Sequence, residues 1–488
     1  MGRHFECKEL VLNIYPLVVD LDGTLICTDM LQESALSACR SNPLYLLCIV
    51  YWLMCGKAVL KRHLAHLTDF APSTLPYNHD LLVWLNQQRA QGRKLILCTA
   101  SDLSIATEIS AYLGIFEEVM ASDGTVNLSG KHKAEALVQR FGHACFDYVG
   151  NSHADLAVWK SARRTVIVDA SAGLVKKVRA CCNVEWIFPS PTLGLTAWFQ
   201  VLRVHQWLKN LLLFIPLLAA HQLTSLNTWL TLVLAFCSFS LCASSVYIVN
   251  DLLDLESDRR HPRKCNRPFA SGLVPVWMGV VLAPLLLLGS MALAWYVDGK
   301  FLPWLVFYFV LTCAYSWGLK RLILVDCLIL AILYTLRIIA GSAAASVLLS
   351  FWLLAFSVFL FLSLAFVKRY AELQMQMLNG KLKVHGRGYY TSDAPLVQML
   401  GVTSGYAAVL VLALYLNSDA VVQLYRTPEF VWGSVPIMLF WVSWMWMQAH
   451  RGKMHDDPLI FAIKDKTSLL ASVALFAVLV IGAVGWQW

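Results

Sequence analysis

The stretch Asn250-Asp251-Leu252-Leu253-Asp254-Leu255-Glu256-Ser257-Asp258-Arg259-Arg260-His261-Pro262-Arg263-Lys264-Cys265-Asn266-Arg267-Pro268-Phe269-Ala270-Ser271-Gly272 decides how this chain is read. Asn250, Asp254 and Asp258 recur every fourth residue, so a helix would set them on one face. That face offers oxygen ligands to a hard divalent cation. Lys264 and Arg267 follow at a distance suited to holding phosphate oxygens. The string comes directly after an apolar run long enough to cross a bilayer. Acids for a metal beside bases for phosphate point to a diphosphate site at a membrane surface.

Working outward, the 488 residues are 58% hydrophobic and only 14% charged, where a soluble globular domain is nearer a quarter charged. The deficit is uneven. Residues 1–190 carry an ordinary mix of charges, and from about Leu208 onward apolar runs alternate with short charged loops. This pattern predicts a soluble domain followed by a polytopic all-α membrane domain. About nine spans are expected, near 205–222, 228–249, 275–296, 301–317, 322–344, 348–367, 396–416, 430–448 and 468–486. Basic residues fall in alternate loops: 259–267, Lys320 and Arg321, 368–387 and 451–466 on one side, against Lys300 and Arg426 on the other. With an odd number of spans the bias places the N-terminal domain in the cytosol and the C-terminus outside; the membrane expected is a bacterial inner membrane. Met1–Lys8 lacks the apolar core of a cleavable signal. The 14 Cys show no metal-type CxxC pair and read as free thiols. The net charge of +8 sits largely in membrane-flanking loops, which fits anionic lipids and phosphorylated substrates rather than nucleic acid. Arg337 lies within a span, where a guanidinium must be paired or face a polar cavity; a phosphate contact there is expected, with helix packing as the other reading.

The string 250–272 matches the NDxxDxxxDxxHPxKxxRPxASG pattern and resembles the UbiA-type membrane prenyltransferases. His261-Pro262-x-Lys264 narrows the resemblance. So do Tyr315-Ser316-x-x-Leu319-Lys320, Asp326, Arg337-x-x-Ala340-Gly341, Lys368-Arg369-x-x-Glu372, Gly386-Arg387-x-x-Tyr390 and Asp457-Pro458-x-x-Phe461-x-x-x-Asp465. Together they are similar to the decaprenyl-phosphate phosphoribosyltransferase branch, over roughly 195–488. The resemblance implies transfer of phosphoribose from phosphoribosyl diphosphate to a polyprenyl phosphate, with one or two Mg²⁺ in the membrane domain. Asn250 and Asp254 would be the first metal ligands, Asp258 a third, and Asp326 would hold a second metal or orient the ribose. Lys264, Arg267, Lys320, Arg321 and Arg337 would balance the phosphates; Lys368 and Arg369 would receive the lipid phosphate or simply flank the membrane. One departure stands out: Cys327-Leu328-Ile329-Leu330 follows Asp326, so the second DxxxD pair of many family members is missing. Asp456, Asp457 and Asp465 either supply those oxygens or cap helices.

In the N-terminal part, Leu17-Val18-Val19 precedes Asp20-Leu21-Asp22-Gly23-Thr24, and Leu95-Ile96-Leu97-Cys98 ends at Thr99-Ala100-Ser101. Lys133-Ala134-Glu135 and Tyr148-Val149-Gly150-Asn151-Ser152-x-x-Asp155 follow in order. The set resembles the haloacid dehalogenase-type phosphohydrolases, which implies a doubly wound α/β fold. Asp20 would be the nucleophile, Asp22 the acid and base, and Thr99 and Lys133 the phosphoryl ligands. Mg²⁺ would sit among Asp20, Asp22, Asn151 and Asp155. Asn151 stands where the pattern has Asp, which removes a charge from the metal site. The expected organisation is a phosphatase-like domain over 1–170 with a helical cap at about 30–80, a linker over 171–200, and a membrane domain over 201–488. The apolar cap segment Leu44–Met54 is too short to span; it is buried in the cap or docks on the bilayer or the membrane domain.

These readings converge on a fused enzyme that makes a polyprenyl phosphoribosyl phosphate, with a phosphatase-like domain that either removes the product's 5′-phosphate or, because of Asn151, is weak or purely structural. Two alternatives remain: a prenyltransferase moving a prenyl group from a prenyl diphosphate to an aromatic or lipid acceptor, and a transporter or lipid-binding protein with a vestigial phosphatase domain.

Overall fold

A computed structural model describes residues 15–42, 44–67, 70–123, 127–220, 225–383, 387–418, 425–454 and 457–485. Gly386 and Asp456 lie outside these. The chain forms two compact units: residues 1–201 with 248–282, and residues 202–247 with 283–488.

In the first unit a six-stranded sheet runs in the order β3-β2-β1-β4-β5-β6. Its strands are β1 (Leu17–Val19), β2 (Leu95–Asp102), β3 (Glu118–Ser122), β4 (Asp147–Gly150), β5 (Arg164–Val168) and β6 (Val184–Phe188). All pairings are parallel. Leu17, Val18 and Val19 are fully buried, and apolar clusters cover both faces of the sheet. That is why the strands read as unbroken apolar runs rather than alternating ones. Helices connect them: α1 (Met30–Ser41), α2 (Tyr45–Cys55), α3 (Lys57–Leu67), α4 (His79–Ala90), α5 (Leu103–Leu113), α6 (Lys131–Phe141), α7 (Leu156–Ser161) and α8 (Ala172–Cys181). The doubly wound parallel α/β architecture is the one expected. Parallel strands bring the residues that follow β1 and β4 and those ending β2 to one carboxyl edge of the sheet.

Helices α1, α2 and α3 form the cap, each started or turned by local chemistry. Asp29 caps α1 by accepting from the Leu31 and Gln32 amides. Gly56, at φ +123°, makes the one-residue turn between α2 and α3. Burial of Leu44–Met54 inside the cap is not observed: α2 contains no buried residue.

The expected linker at 171–200 is corrected for most of its length. Residues 172–181 form α8, and Thr165–Val168 of β5 pair with Val184–Phe188. Leu174, Val178, Val184 and Ile187 join the cluster under the sheet. The short run of apolar residues between Lys- and Arg-rich positions is thus a helix face and an edge strand. The Pro-containing stretch 189–194 is the longest part of 171–200 without helix or strand, and it precedes the helix Leu195–Val201.

The membrane domain is helical, and seven described helices are long and apolar enough to cross a bilayer: Leu226–Leu253, Val276–Val297, Val325–Ala345, Phe351–Leu378, Thr391–Leu416, Pro428–His450 and Lys466–Val484. The expected nine include two segments that fall short, Val204–Ala219 and Phe301–Trp317. The former begins as a tight 3₁₀ stretch and resumes as an α-helix with Pro216 in its first turn, where the missing N–H costs nothing. The latter stops at Gly318.

In the second unit Gly341 lets the Val325–Ala345 helix press directly on the backbone of Val204–Phe214; a Cβ there would lie 2.1 Å from the Leu213 carbonyl oxygen. Backbone cannot swing aside as a side-chain tip can, so Gly341→Ala must part the two segments. We expect that variant to lower the melting temperature of the purified protein by several degrees, equivalent to about 1–3 kcal/mol, and Gly341→Val to lower it further; unchanged melting by intrinsic fluorescence would refute the close approach.

Candidate active sites

The carboxyl edge of the sheet gathers the expected phosphatase residues. Lys133 at the start of α6 donates to Asp20 Oδ1 at 2.8 Å and to the Tyr148 hydroxyl at 3.0 Å. Tyr148 in turn donates to Asp155 Oδ1 at 2.9 Å. Burial pushes the Asp20 carboxyl up to about 7, with Lys133 opposing it. Asp22 Oδ1 accepts from the Met30 amide at 2.8 Å, and its Oδ2 accepts from Ser101 Oγ at 2.7 Å and Thr99 Oγ1 at 3.3 Å. Asp22 is therefore held toward α1 and Asp20 toward Lys133, which turns the two carboxylates to different partners.

Two expectations change here. Asp155 is not offered to a cation: its Oδ2 accepts from the Asn151 amide at 3.2 Å and from the Ser152 amide and hydroxyl at 2.9 Å. With Tyr148 on the other oxygen, its lone pairs serve to shape the β4 loop. The side chain of Asn151 faces Gly23, where a Cβ would stand 2.1 Å from the amide nitrogen. Asp20, the Asp22 carbonyl and Asn151 remain as oxygen donors for Mg²⁺, a hard set that fits the ion with less negative charge than a carboxylate at 151 would bring.

Sequence reasoning missed three participants. Tyr148 sits on β4 beside the recognised Gly150-Asn151 and carries no motif of its own. Ser101 ends the recognised Thr99 stretch. Lys61 of α3 reaches across to donate to the Ala100 carbonyl at 2.6 Å and to Asn127 Oδ1 at 3.2 Å. Burial lowers its ammonium, and Asp22 and Asp29 oppose that.

The string 250–272 belongs to the same unit from its first residue to its last. Its helix runs to Leu253, turns at Asp254, and restarts as Leu255–Arg259. Asn250 and Asp254 are half-buried, and the Asp254 amide bonds to the Asn250 carbonyl at 2.9 Å. Asp258, expected as a third ligand, is buried and engaged by Arg267, with Lys264 3.9 Å away. Arg267 also meets Asp251 at 3.1 Å, so its expected phosphate role is corrected to a bridge between two buried carboxylates. A guanidinium fork between two acids that must leave water explains this arrangement. Among the described residues no group of three His, Cys, Asp or Glu stands ready to hold a metal. Asn250 and Asp254 still fit Mg²⁺, which commonly takes one or two carboxylates and completes its shell from water and substrate phosphates. Arg259 is turned elsewhere: it pairs with Glu33 of α1 at 2.6 Å and donates to the Ala270 carbonyl at 2.9 Å. Glu33 also accepts from Thr28 at 2.6 Å. Gly272, at φ +77°, lies against Cys27.

In the second unit, Asp326 is fully buried and its Oδ2 lies 2.6 Å from Arg369 and 3.3 Å from Arg387. Tyr389 donates to its Oδ1 at 2.7 Å. Glu372 meets Arg369 and lies 3.3 Å from Arg387. Asp326 is thus spent on ion pairs, not on a second metal, and Arg369 on that carboxylate rather than a lipid phosphate. Arg337 is caged as well. It donates to Asn210 at 2.9 Å, to Tyr308 at 2.9 Å and to the Leu333 carbonyl. Helix packing, not phosphate contact, accounts for it. Lys320 is half-buried and Arg321 exposed, positions compatible with phosphate.

A further cluster joins Asp457 to Lys209 at 2.7 Å, Lys368 at 3.3 Å and the Tyr334 hydroxyl at 3.0 Å. Burial would raise the Asp457 carboxyl, but Lys209 and Lys368 outweigh it and hold it well below the usual carboxylate range. Two ammoniums share one carboxylate, which leaves positive charge for an anion. Asp457 and Asp465 also cap the helices Pro458–Lys464 and Lys466–Val484, the capping alternative foreseen for both. Lys209 and Asn210 were legible as polar residues inside an apolar run, yet sequence alone gave them no partner.

The chain as a whole has relatives among known proteins. Residues 211–470 match the UbiA prenyltransferase family. An uncharacterised protein of Sinorhizobium fredii is 35% identical over 486 residues, covering 97% of this chain and 94% of its own length. The nodulation protein NoeC of Azorhizobium caulinodans is 37% identical over 301 residues, 60% of this chain and 94% of that protein. A decaprenyl-phosphate phosphoribosyltransferase of Mycolicibacterium smegmatis is 36% identical over 210 residues, 42% of this chain and 66% of that enzyme.

Removing Arg369 would strand Asp326 in a fully buried position. We expect Arg369→Ala to destabilise the protein by about 3–5 kcal/mol, read as a large drop in melting temperature and yield. Arg369→Lys should recover only part of it, since one ammonium cannot face both Asp326 and Glu372 as the fork does.

Proposed function

Since the chain belongs to the UbiA prenyltransferase family and is an integral membrane transferase, we propose that it moves phosphoribose from phosphoribosyl diphosphate to a polyprenyl phosphate. The observation that carries this reading is Asp326. Prenyl diphosphate users of the family, in the resemblance drawn above, have a second DxxxD pair; here the lone aspartate is enclosed by Arg369, Arg387 and Tyr389. The named phosphoribosyltransferase relative supports the same donor.

In this reading Asn250 and Asp254 would hold Mg²⁺, and the ion would supply positive charge for the leaving diphosphate. Lys264 steadies phosphate oxygens; Lys320 and Arg321 are separate candidates for the same role. Lys368, sharing Asp457 with Lys209, receives the lipid phosphate. Arg267 keeps Asp251 and Asp258 in place and so fixes the turn at Asp254. The bias of basic loops supports a cytosolic N-terminal domain and an outward C-terminus in a bacterial inner membrane.

The phosphatase-like centre then acts on the product's 5′-phosphate. Asp20 attacks phosphorus, Asp22 protonates the departing oxygen and afterwards takes a proton from water, and Lys133 and Thr99 steady the transferring oxygens. Tyr148 and Asp155 position Lys133 and the β4 loop.

Reconstituted protein given labelled phosphoribosyl diphosphate and a polyprenyl phosphate should form a labelled lipid in the presence of Mg²⁺. Asp254→Ala should lower that rate at least about a hundredfold, the loss expected when a group that positions transition-state charge is removed. Labelling only with a prenyl diphosphate donor would overturn the assignment. Asp20→Asn should leave transfer intact and preserve the 5′-phosphate; identical dephosphorylation in the wild type and this variant would refute the second activity.

Position 151 offers a separate check. Adding a charge there should lower the Mg²⁺ concentration for half-maximal phosphate release by roughly tenfold, about 1.4 kcal/mol of added attraction. A titration of Asn151→Asp that matches the wild type would exclude position 151 from the metal shell.

A further inference from the structure

The geometry points to α2 as a bilayer-docking element of the cap. Leu46, Leu47, Val50, Leu53 and Met54 fall within one arc of the helix and are exposed by 59, 71, 54, 50 and 84%. The opposite side already has its partners: Tyr45, Ile49 and Trp52 pack on the cluster of Ala38, Leu60 and Leu64. A helix at a water-facing surface carries polar residues on its outer side, and Tyr45–Cys55 contains no charged residue at all. Contiguous apolar exposure of this kind marks a surface with a partner.

Charge identifies the partner. From Arg40 to Leu67 the chain carries Arg40, Lys57, Lys61 and Arg62 and no acidic residue. Arg40, Lys57 and Arg62 are exposed. An apolar helix face bordered only by bases matches a bilayer interface with anionic headgroups. A bilayer is always at hand, because the same chain contributes seven helices of spanning length. Eleven residues make a helix about 16 Å long, too short to cross the hydrocarbon core and suited to lying in its boundary.

The consequence for the phosphatase-like centre follows from α3. Gly56 joins α2 directly to α3, and Lys61 on α3 reaches the Ala100 carbonyl beside Thr99. One helical hairpin therefore has an outer face for lipid and an inner ammonium at the edge of the site. Docking would present the centre to a phosphomonoester carried on a membrane lipid in preference to a soluble one. This last step rests on the phosphatase reading above; the docking does not.

The test uses the full-length protein in phosphatidylethanolamine–phosphatidylglycerol vesicles. A photoreactive benzoylphenylalanine placed at Leu47 or Met54 should give lipid adducts on irradiation, and one placed at Glu135 on α6 should give none. Cross-links from positions 47 and 54 to other segments of the chain or to a second copy, or no lipid adducts, would overturn the docking. The double variant Leu47→Glu, Val50→Glu should cut the adduct at Met54 at least tenfold. It should slow dephosphorylation of a lipid-linked phosphomonoester to a similar degree and leave hydrolysis of p-nitrophenyl phosphate unchanged. Equal loss on both substrates would overturn the delivery role. Wild-type inactivity on both would end the phosphatase reading together with that role, and the adducts would still decide the docking.

Discussion

A charged group inside an apolar helical bundle is stable only when another charge or a full set of hydrogen bonds meets it, and that constraint organises this protein's membrane domain. Asp326 is met by Arg369, Arg387 and Tyr389. Asp457 is met by Lys209, Lys368 and Tyr334. Arg337 is met by Asn210 and Tyr308. Each cluster ties together helices far apart in sequence, so the same groups that make the interior polar also fix how its helices pack. Lys368 and Arg369 are adjacent yet serve different carboxylates, which links the first two clusters through one turn of the Phe351–Leu378 helix.

The constraint also separates residues that hold the structure from residues left for substrate. Arg267 is absorbed by Asp251 and Asp258, Arg259 by Glu33, and Arg369 by Asp326 and Glu372. Arginine dominates these internal bridges because its planar fork can satisfy two acceptors. The lysines behave differently. Lys209 and Lys368 share a single carboxylate, and Lys264 is exposed at the surface. The carboxyl edge of the sheet follows the same economy: Lys133 is bound between Asp20 and Tyr148, and Asp155 gives its oxygens to the loop that carries Asn151.

Much of this was legible in the sequence. Apolar runs ending in Asp20-Leu21-Asp22 and Thr99-Ala100-Ser101 foretold parallel strands whose ends meet, because a strand buried on both faces must be apolar throughout. The order of motifs from Asn250 to Asp465 foretold the family. The misreadings share a cause. Asp258 reads as a ligand because acids at helical spacing look alike whether they face a cation or a guanidinium, and Asp326 reads as one only through the family resemblance. Arg337 was read as a phosphate contact because its cage, Asn210, Tyr308 and the Leu333 carbonyl, is distributed over the sequence. The stretch 171–200 was read as a linker because α8 and β6 are short, and only pairing with β5 makes Val184–Phe188 a strand.

The sequence by itself determined the doubly wound sheet, the apolar helices of the membrane domain and the chemical types at each motif. These follow from local composition and spacing, which a single segment carries. Only the tertiary structure decided which acids were paired, that Tyr148 and Lys61 reach the carboxyl edge of the sheet beside Asp20 and Thr99, and that α2 shows its apolar side outward. Those outcomes depend on distances between segments, and in apolar surroundings the nearest opposite charge decides what each ionised side chain is able to do.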